Sequence, residues 1–153
     1  MYTREQASQI RQQFWTRFGK YMAPVLSSEG YSTNWINYKT GIRNLYFRMD
    51  ANKKQASIAI EMMYREPEFA EKIYQQFSLL KFQLEDHTGE EWIWHREDTN
   101  EHGQTLSRIY CTREPLNIFK ETDWPDIISF LKPRIMALDA FWNEYKMVFE
   151  MIS

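Results

Sequence analysis

The sequence predicts an α+β fold: a four-stranded, largely antiparallel sheet made from two β-hairpins and packed with three main helical regions. Two observations carry this. Period-two alternation of apolar and polar residues occurs twice, each time on both sides of a short polar turn, as half-buried hairpins require. Between and around these stretches, apolar residues recur every three or four positions, as on one face of a helix. The resulting order is helix, hairpin, helix, hairpin, helix. Four strands against helices can share a core, whereas a lone hairpin is marginal.

The first helix is announced by Thr3 and Gln6 in capping-box spacing. Ala7, Ile10, Phe14, Phe18, Met22 and Val25 then form its stripe, carrying it to about Leu26, with Pro24 weakening the final turn. Ser27 to Thr33 reads as a polar linker containing Gly30. In the first hairpin Leu45, Phe47 and Met49 alternate with Tyr46, Arg48 and Asp50. Its turn is Ala51 to Lys54, and Ala56, Ile58, Ile60 and Met62 continue the inward face. Glu66-Pro67-Glu68 marks the next helix start, with proline and acid suited to a first turn. Phe69, Ile73, Phe77, Leu80 and Leu84 give its stripe, ending before Gly89.

The second hairpin pairs Glu91–Glu97 with Gln104–Thr112 around the turn Asp98–Gly103. Asp123 is the expected cap of the last helix, with Pro125 and Asp126 in its first turn. Ile128, Leu131, Ile135, Leu138, Trp142, Tyr145, Phe149 and Ile152 mark its apolar side. Pro133 is expected to kink or divide it. Phe141, Trp142 and Tyr145 on this helix serve either the internal core or a homodimer through the C-terminal helix.

The 153 residues are expected to form a single domain spanning 1–153, with 43% apolar and 16% aromatic residues to build its core. A net charge of −2 argues against a broad basic footprint for nucleic acid, though a local patch is compatible with it. One cysteine, Cys111, has no internal disulfide partner and reads as a small strand residue. The polar N-terminus carries no apolar signal segment, and no run of 18 uncharged apolar residues suggests a membrane span. The cytoplasm is the expected location by elimination.

Asn34-Trp35-Ile36-Asn37-Tyr38-Lys39-Thr40-Gly41, followed by Phe47-Arg48-Met49, resembles a bacterial family known only as a domain of unknown function, DUF4268. The likeness in element order covers nearly the whole chain. Members occur alone or appended to larger proteins, some with nuclease-like regions. The resemblance therefore implies an accessory role near nucleic-acid metabolism or defence, and it assigns no catalysis.

The residues themselves support two readings. Between Trp35 and Arg65 lie six basic residues (Lys39, Arg43, Arg48, Lys53, Lys54 and Arg65) against two acidic ones, Asp50 and Glu61. Such local asymmetry steers a phosphate or acidic peptide. On this reading the chain is a non-catalytic interaction domain for a protein or an anionic polymer. Its recognition residues are Trp35, Asn37, Tyr38, Lys39, Arg43, Arg48, Trp94, Arg96 and Arg108, provided the two hairpins bring Arg48, Trp94, Arg96 and Arg108 together as an aromatic and guanidinium patch. The alternative is a magnesium-dependent nuclease or its degenerate relative, with Asp50, Glu61 and a further carboxylate as metal ligands. Glu61-Met62-Met63 lacks the lysine that nucleases place two residues after the glutamate, and Asp50 and Glu61 fall at opposite ends of the hairpin, so salt bridging within the hairpin explains both acids more simply. The leading reading needs no cofactor. His87, His95 and His102 form no compact zinc pattern. His95 is expected buried or half-buried beside Ile93, and His102 exposed in its turn. No phosphate-loop signature is present.

Overall fold

The computed structural model describes residues 2–152. Its elements are α1 (Arg4–Met22), β1 (Leu45–Ala51), β2 (Ala56–Met63), α2 (Pro67–Leu79), α3 (Lys81–Thr88), β3 (Ile93–Thr99), β4 (Thr105–Arg113) and α4 (Trp124–Glu150). The sheet order is β1-β2-β4-β3, and every neighbouring pair is antiparallel. The two hairpins therefore join through β2 and β4, and the chain has the expected α+β fold.

The Thr3–Gln6 capping box forms as the sequence predicts, with both reciprocal hydrogen bonds present. The helix stops at Met22 rather than Leu26, because Pro24 has no N–H with which to continue the ladder. The single helix expected after Pro67 is two. Leu80, at φ −104° and ψ 18°, interrupts it, so three expected helical regions become four helices. Gly89, with φ +74°, then ends α3 in the left-handed conformation that glycine adopts without strain.

Two expectations for α4 are corrected. Asp123 makes no side-chain cap; its carboxylate accepts the Asn117 N–H at 2.9 Å and fixes the preceding loop, which enters the helix through a 3₁₀ turn. The helix also runs undivided through Pro133. Phe130, Leu131, Ile135 and Leu138, all at most 1% exposed, bury its inner face on both sides of the proline. This burial outweighs one missing backbone bond.

One face of the sheet carries Leu45, Phe47, Ile58, Ile60, Met62 and Ile109, and packs beneath α2 and α4. Phe77, Phe141, Trp142 and Phe149 stack among themselves in that layer. Phe141 and Trp142 are thus inside this chain's own core, and Tyr145 packs against Phe141 and His87. Phe141 and Trp142 therefore serve the internal core, while Tyr145 stays partly exposed. No helix among the described residues is long and apolar enough to cross a membrane.

Candidate functional site

The stretch from Trp35 to Thr40 is a structural joint. Trp35 is 3% exposed and its indole N–H donates to the Val25 carbonyl at 2.9 Å. The Tyr38 hydroxyl donates to buried Asp139 at 2.5 Å, and its ring stacks on Phe47. Asp139 also accepts the Ser28 backbone N–H and the Asn143 amide. From α4, the Trp142 indole donates to the Thr40 carbonyl at 2.8 Å. Burial, and then the Asp139 carboxylate, push the Tyr38 phenol far above the ordinary tyrosine value, so it remains a donor. The predicted recognition residues Trp35 and Tyr38 tie the linker to α4 and have little surface to offer. Asn37 and Lys39 are exposed beside them. Arg43 is exposed but pairs with Glu66 at 2.8 Å and lies over the Phe69 ring.

The predicted convergence of Arg48, Trp94, Arg96 and Arg108 divides across the sheet. Glu61 pairs in register with both Tyr46 and Arg108, and His95 also pairs with Arg108. Arg48, Glu61, Arg108 and His95 thus share the face that no helix covers. Trp94 sits opposite Ile109 on the helix side. There it meets Tyr74 edge to face, with Lys81 over its ring. Arg96 also points to that side, pairing with Glu71 of α2 at 3.1 Å and covering Tyr74. Period-two alternation separates the faces within a hairpin, but matching faces between hairpins requires the β2–β4 register. His95 correspondingly keeps 47% of its side chain exposed, so it is half-buried at most and not enclosed.

On the open face a chain of charges crosses the sheet. Arg48 Nε meets Glu61 Oε1 at 2.9 Å, and Arg108 Nε meets Glu61 Oε2 at 3.4 Å. Arg108 continues to Asp98 at 3.5 Å, which also faces His95 at 3.5 Å. Arg48 lies over Tyr46, and Arg108 over Tyr110. Glu61 links both arginines, Arg48 by a salt bridge within the first hairpin and Arg108 across β2–β4.

A β-bulge between His95 and Asp98 bends the second hairpin. The carbonyl of Arg96, at the bulge, is recovered by the Tyr64 and Ser107 hydroxyls. The hairpin tip is thereby drawn over the open face. Thr99 to His102 line a trough of about 500 Å³ together with Arg48, Asp50, Ser57, Ala59, Glu61 and Arg108. Small side chains at Ser57 and Ala59 leave its floor low. Burial raises the Asp50 carboxyl, with Glu101 on the tip adding to the rise against the Ala51 N–H bond and nearby arginines.

This arrangement does not suit the magnesium alternative. Asp50 is opposite Ser57 and Glu61 opposite Tyr46, four residues apart along β1. At about 3.3 Å per residue that is roughly 13 Å of strand. Glu61 is held by two guanidiniums, and no group of three His, Cys, Asp or Glu among the described residues could hold a metal ion.

A family model described as a domain of unknown function (DUF4268) matches residues 10–146. No curated protein and no solved structure matches the chain.

Proposed function

We propose, from the premise that the chain belongs to the DUF4268 family of domains of unknown function, that it is a non-catalytic interaction domain of the cytoplasm. It binds a protein partner through the open face of its sheet, with Arg48 and Arg108 as the central contacts. The observation that carries this reading is the uncovered trough, where Arg48 keeps 53% of its side chain exposed while resting on Tyr46 and Glu61.

Chemistry favours protein over an anionic polymer. A nucleic acid is held by a continuous row of cations free to replace its counterions. Here Arg48 and Arg108 both turn toward Glu61, while Asp50, Asp98 and Glu101 stand on the same side. A polyanion would meet carboxylates at each step. Arg48 is the exposed half of its pair with Glu61, 53% against 13%, so a partner can engage the outer side of the guanidinium while the Arg48–Glu61 contact stays in place. Arginine and tyrosine are also the side chains that most often dominate protein interfaces.

The test is affinity capture from nuclease-treated native lysate with the wild-type chain, Arg48→Ala and Arg96→Ala. Captured proteins should persist after nuclease, fall several-fold with Arg48→Ala, and stay unchanged with Arg96→Ala on the opposite face. Circular dichroism should give all three the same folded spectrum. Loss of everything with nuclease would point to nucleic acid, and undiminished capture by Arg48→Ala would remove the open face from consideration.

A further inference from the structure

The trough has an order of charges along β2 that the local excess of basic residues conceals. At the β1–β2 turn end stands Asp50, opposite Ser57. Next come Arg48 and Ala59, then Glu61 with Tyr46 and Arg108, then Met63, and last Arg65 just beyond the strand. The middle is neutralised within the chain, because Arg48 and Arg108 share Glu61 and Arg108 also meets Asp98. The two ends have no such contact pair, although Arg11 and Arg108 attract Asp50 from farther off. Neither Asp50 nor Arg65 forms an ion pair with another described residue, and Asp50 has only the adjacent Ala51 N–H as a hydrogen-bond donor.

We infer that the trough receives an extended segment of a protein partner carrying one basic and one acidic residue, the base meeting Asp50 and the acid meeting Arg65. This rests on the open-face reading and gives that reading a ligand class. From Ser57 to Met63, the end of β2, are six steps of about 3.3 Å, and Arg65 lies in the turn just beyond, so the two charges stand roughly 20 Å apart along the strand direction. A segment of about eight residues spans this. Glu101, on the overhanging tip, adds a second carboxylate to the end where the base docks. A uniformly acidic segment would be repelled there, and a uniformly basic one would be repelled at Arg65.

The experiment is selection of a displayed library of random eight-residue peptides on the full chain, repeated on Asp50→Lys and on Arg65→Glu. Asp50→Asn serves as the conservative second variant, and circular dichroism verifies folding. Wild type should enrich peptides with Lys or Arg and Asp or Glu separated by about five to seven positions. In fluorescence anisotropy, alanine at either charge should weaken a selected peptide roughly two- to fivefold. Selection on Asp50→Lys should lose the base, and selection on Arg65→Glu should lose the acid. Uniformly charged peptides, uncharged apolar peptides, no enrichment, or the same charges on every variant would overturn the inference. If lysate proteins still depend on Arg48 in that event, the open-face reading survives and only the charge assignment falls; if they do not, both fall.

Discussion

Glu61 and Glu90 are both held by arginine, yet their proton affinities move in opposite directions. Arg134 grips Glu90 with Nε and a terminal nitrogen at 2.8 and 3.0 Å, and the Trp92 indole adds a third donor at 3.0 Å. Partial burial pushes the Glu90 carboxyl up, but these bonds and the Arg134 charge outweigh it and hold it below the usual 4.5. Glu61 is more enclosed, with 13% of its side chain exposed against 29% for Glu90. Arg108 lies close enough to attract it, but its Nε makes no aligned hydrogen bond. Burial therefore pushes Glu61 above 4.5, and Arg108 and Arg48 reduce the rise without cancelling it. Glu90 contributes stability that is present above 4.5 and lost as pH falls through its lower folded value. Glu61 does the reverse: the folded state holds its proton more tightly, so its contribution is greatest below 4.5 and declines as pH rises through its higher folded value. Denaturant unfolding between about pH 3 and pH 7 should show this. The stability difference between wild type and Glu90→Gln should grow with pH, while that between wild type and Glu61→Gln should shrink. Parallel slopes would contradict the assignment. Neither partnership was legible in the sequence, because Glu61 meets Arg108 and Glu90 meets Arg134 only after distant segments assemble.

At the level of elements, local chemistry spoke clearly where neighbours in sequence decide the outcome. The Thr3–Gln6 cap and both hairpins are of this kind. The α2–α3 break is not. Phe69, Ile73, Phe77, Leu80 and Leu84 keep helical spacing across it, so periodicity sees one helix. The bend at Leu80 sends Leu84 into the core and brings His87 within 2.6 Å of Glu144 on α4, leaving Leu79 and Phe82 on the surface. These gains are tertiary. Pro133 is the complementary case, a strong local signal overruled by the core. Its ring is exposed, its own N–H is absent, and the Arg134 guanidinium donates to the nearby Phe130 carbonyl at 2.9 Å. Replacement by alanine restores the backbone donor to the Ser129 carbonyl and removes little packing. Pro133→Ala should therefore stabilise the chain by about 1–3 kcal/mol, short of or near the usual proline penalty inside a helix. Urea titration with an unchanged slope would establish it. A loss of stability would mean that the helix path imposed by the proline is itself required by the packing of Phe130 and Ile135.

Across the whole molecule, the sheet separates the face that holds the fold from the open face proposed to meet a partner, and alternation along each strand is the device that does it. Ile60 and Glu61 are adjacent, yet Ile60 is fully buried beneath the helices while Glu61 belongs to the open-face charge chain. The inward and outward sets within the first hairpin could be read from its pattern. Their union with the second hairpin could not, because a one-residue change in the β2–β4 register would have turned Trp94 and Arg96 to the face that carries Arg48, two strands away. The separation predicts two classes of variant. Ile60→Ala removes a buried branched side chain where neighbours close the gap only in part, and should cost about 2–5 kcal/mol. Arg48→Ala removes one of the two arginines beside Glu61 and a contact with Tyr46, and because Arg108 stays next to the carboxylate it should cost about 1 kcal/mol. Measured side by side, denaturant stability should respond to Ile60 and partner capture to Arg48, with little crossover between them. Were Arg48→Ala to destabilise the chain as much as Ile60→Ala, the exposed face would be structural in the same sense as the core. The arginine–glutamate chain would then serve to clamp three strands together, and recognition would have to be sought away from the sheet.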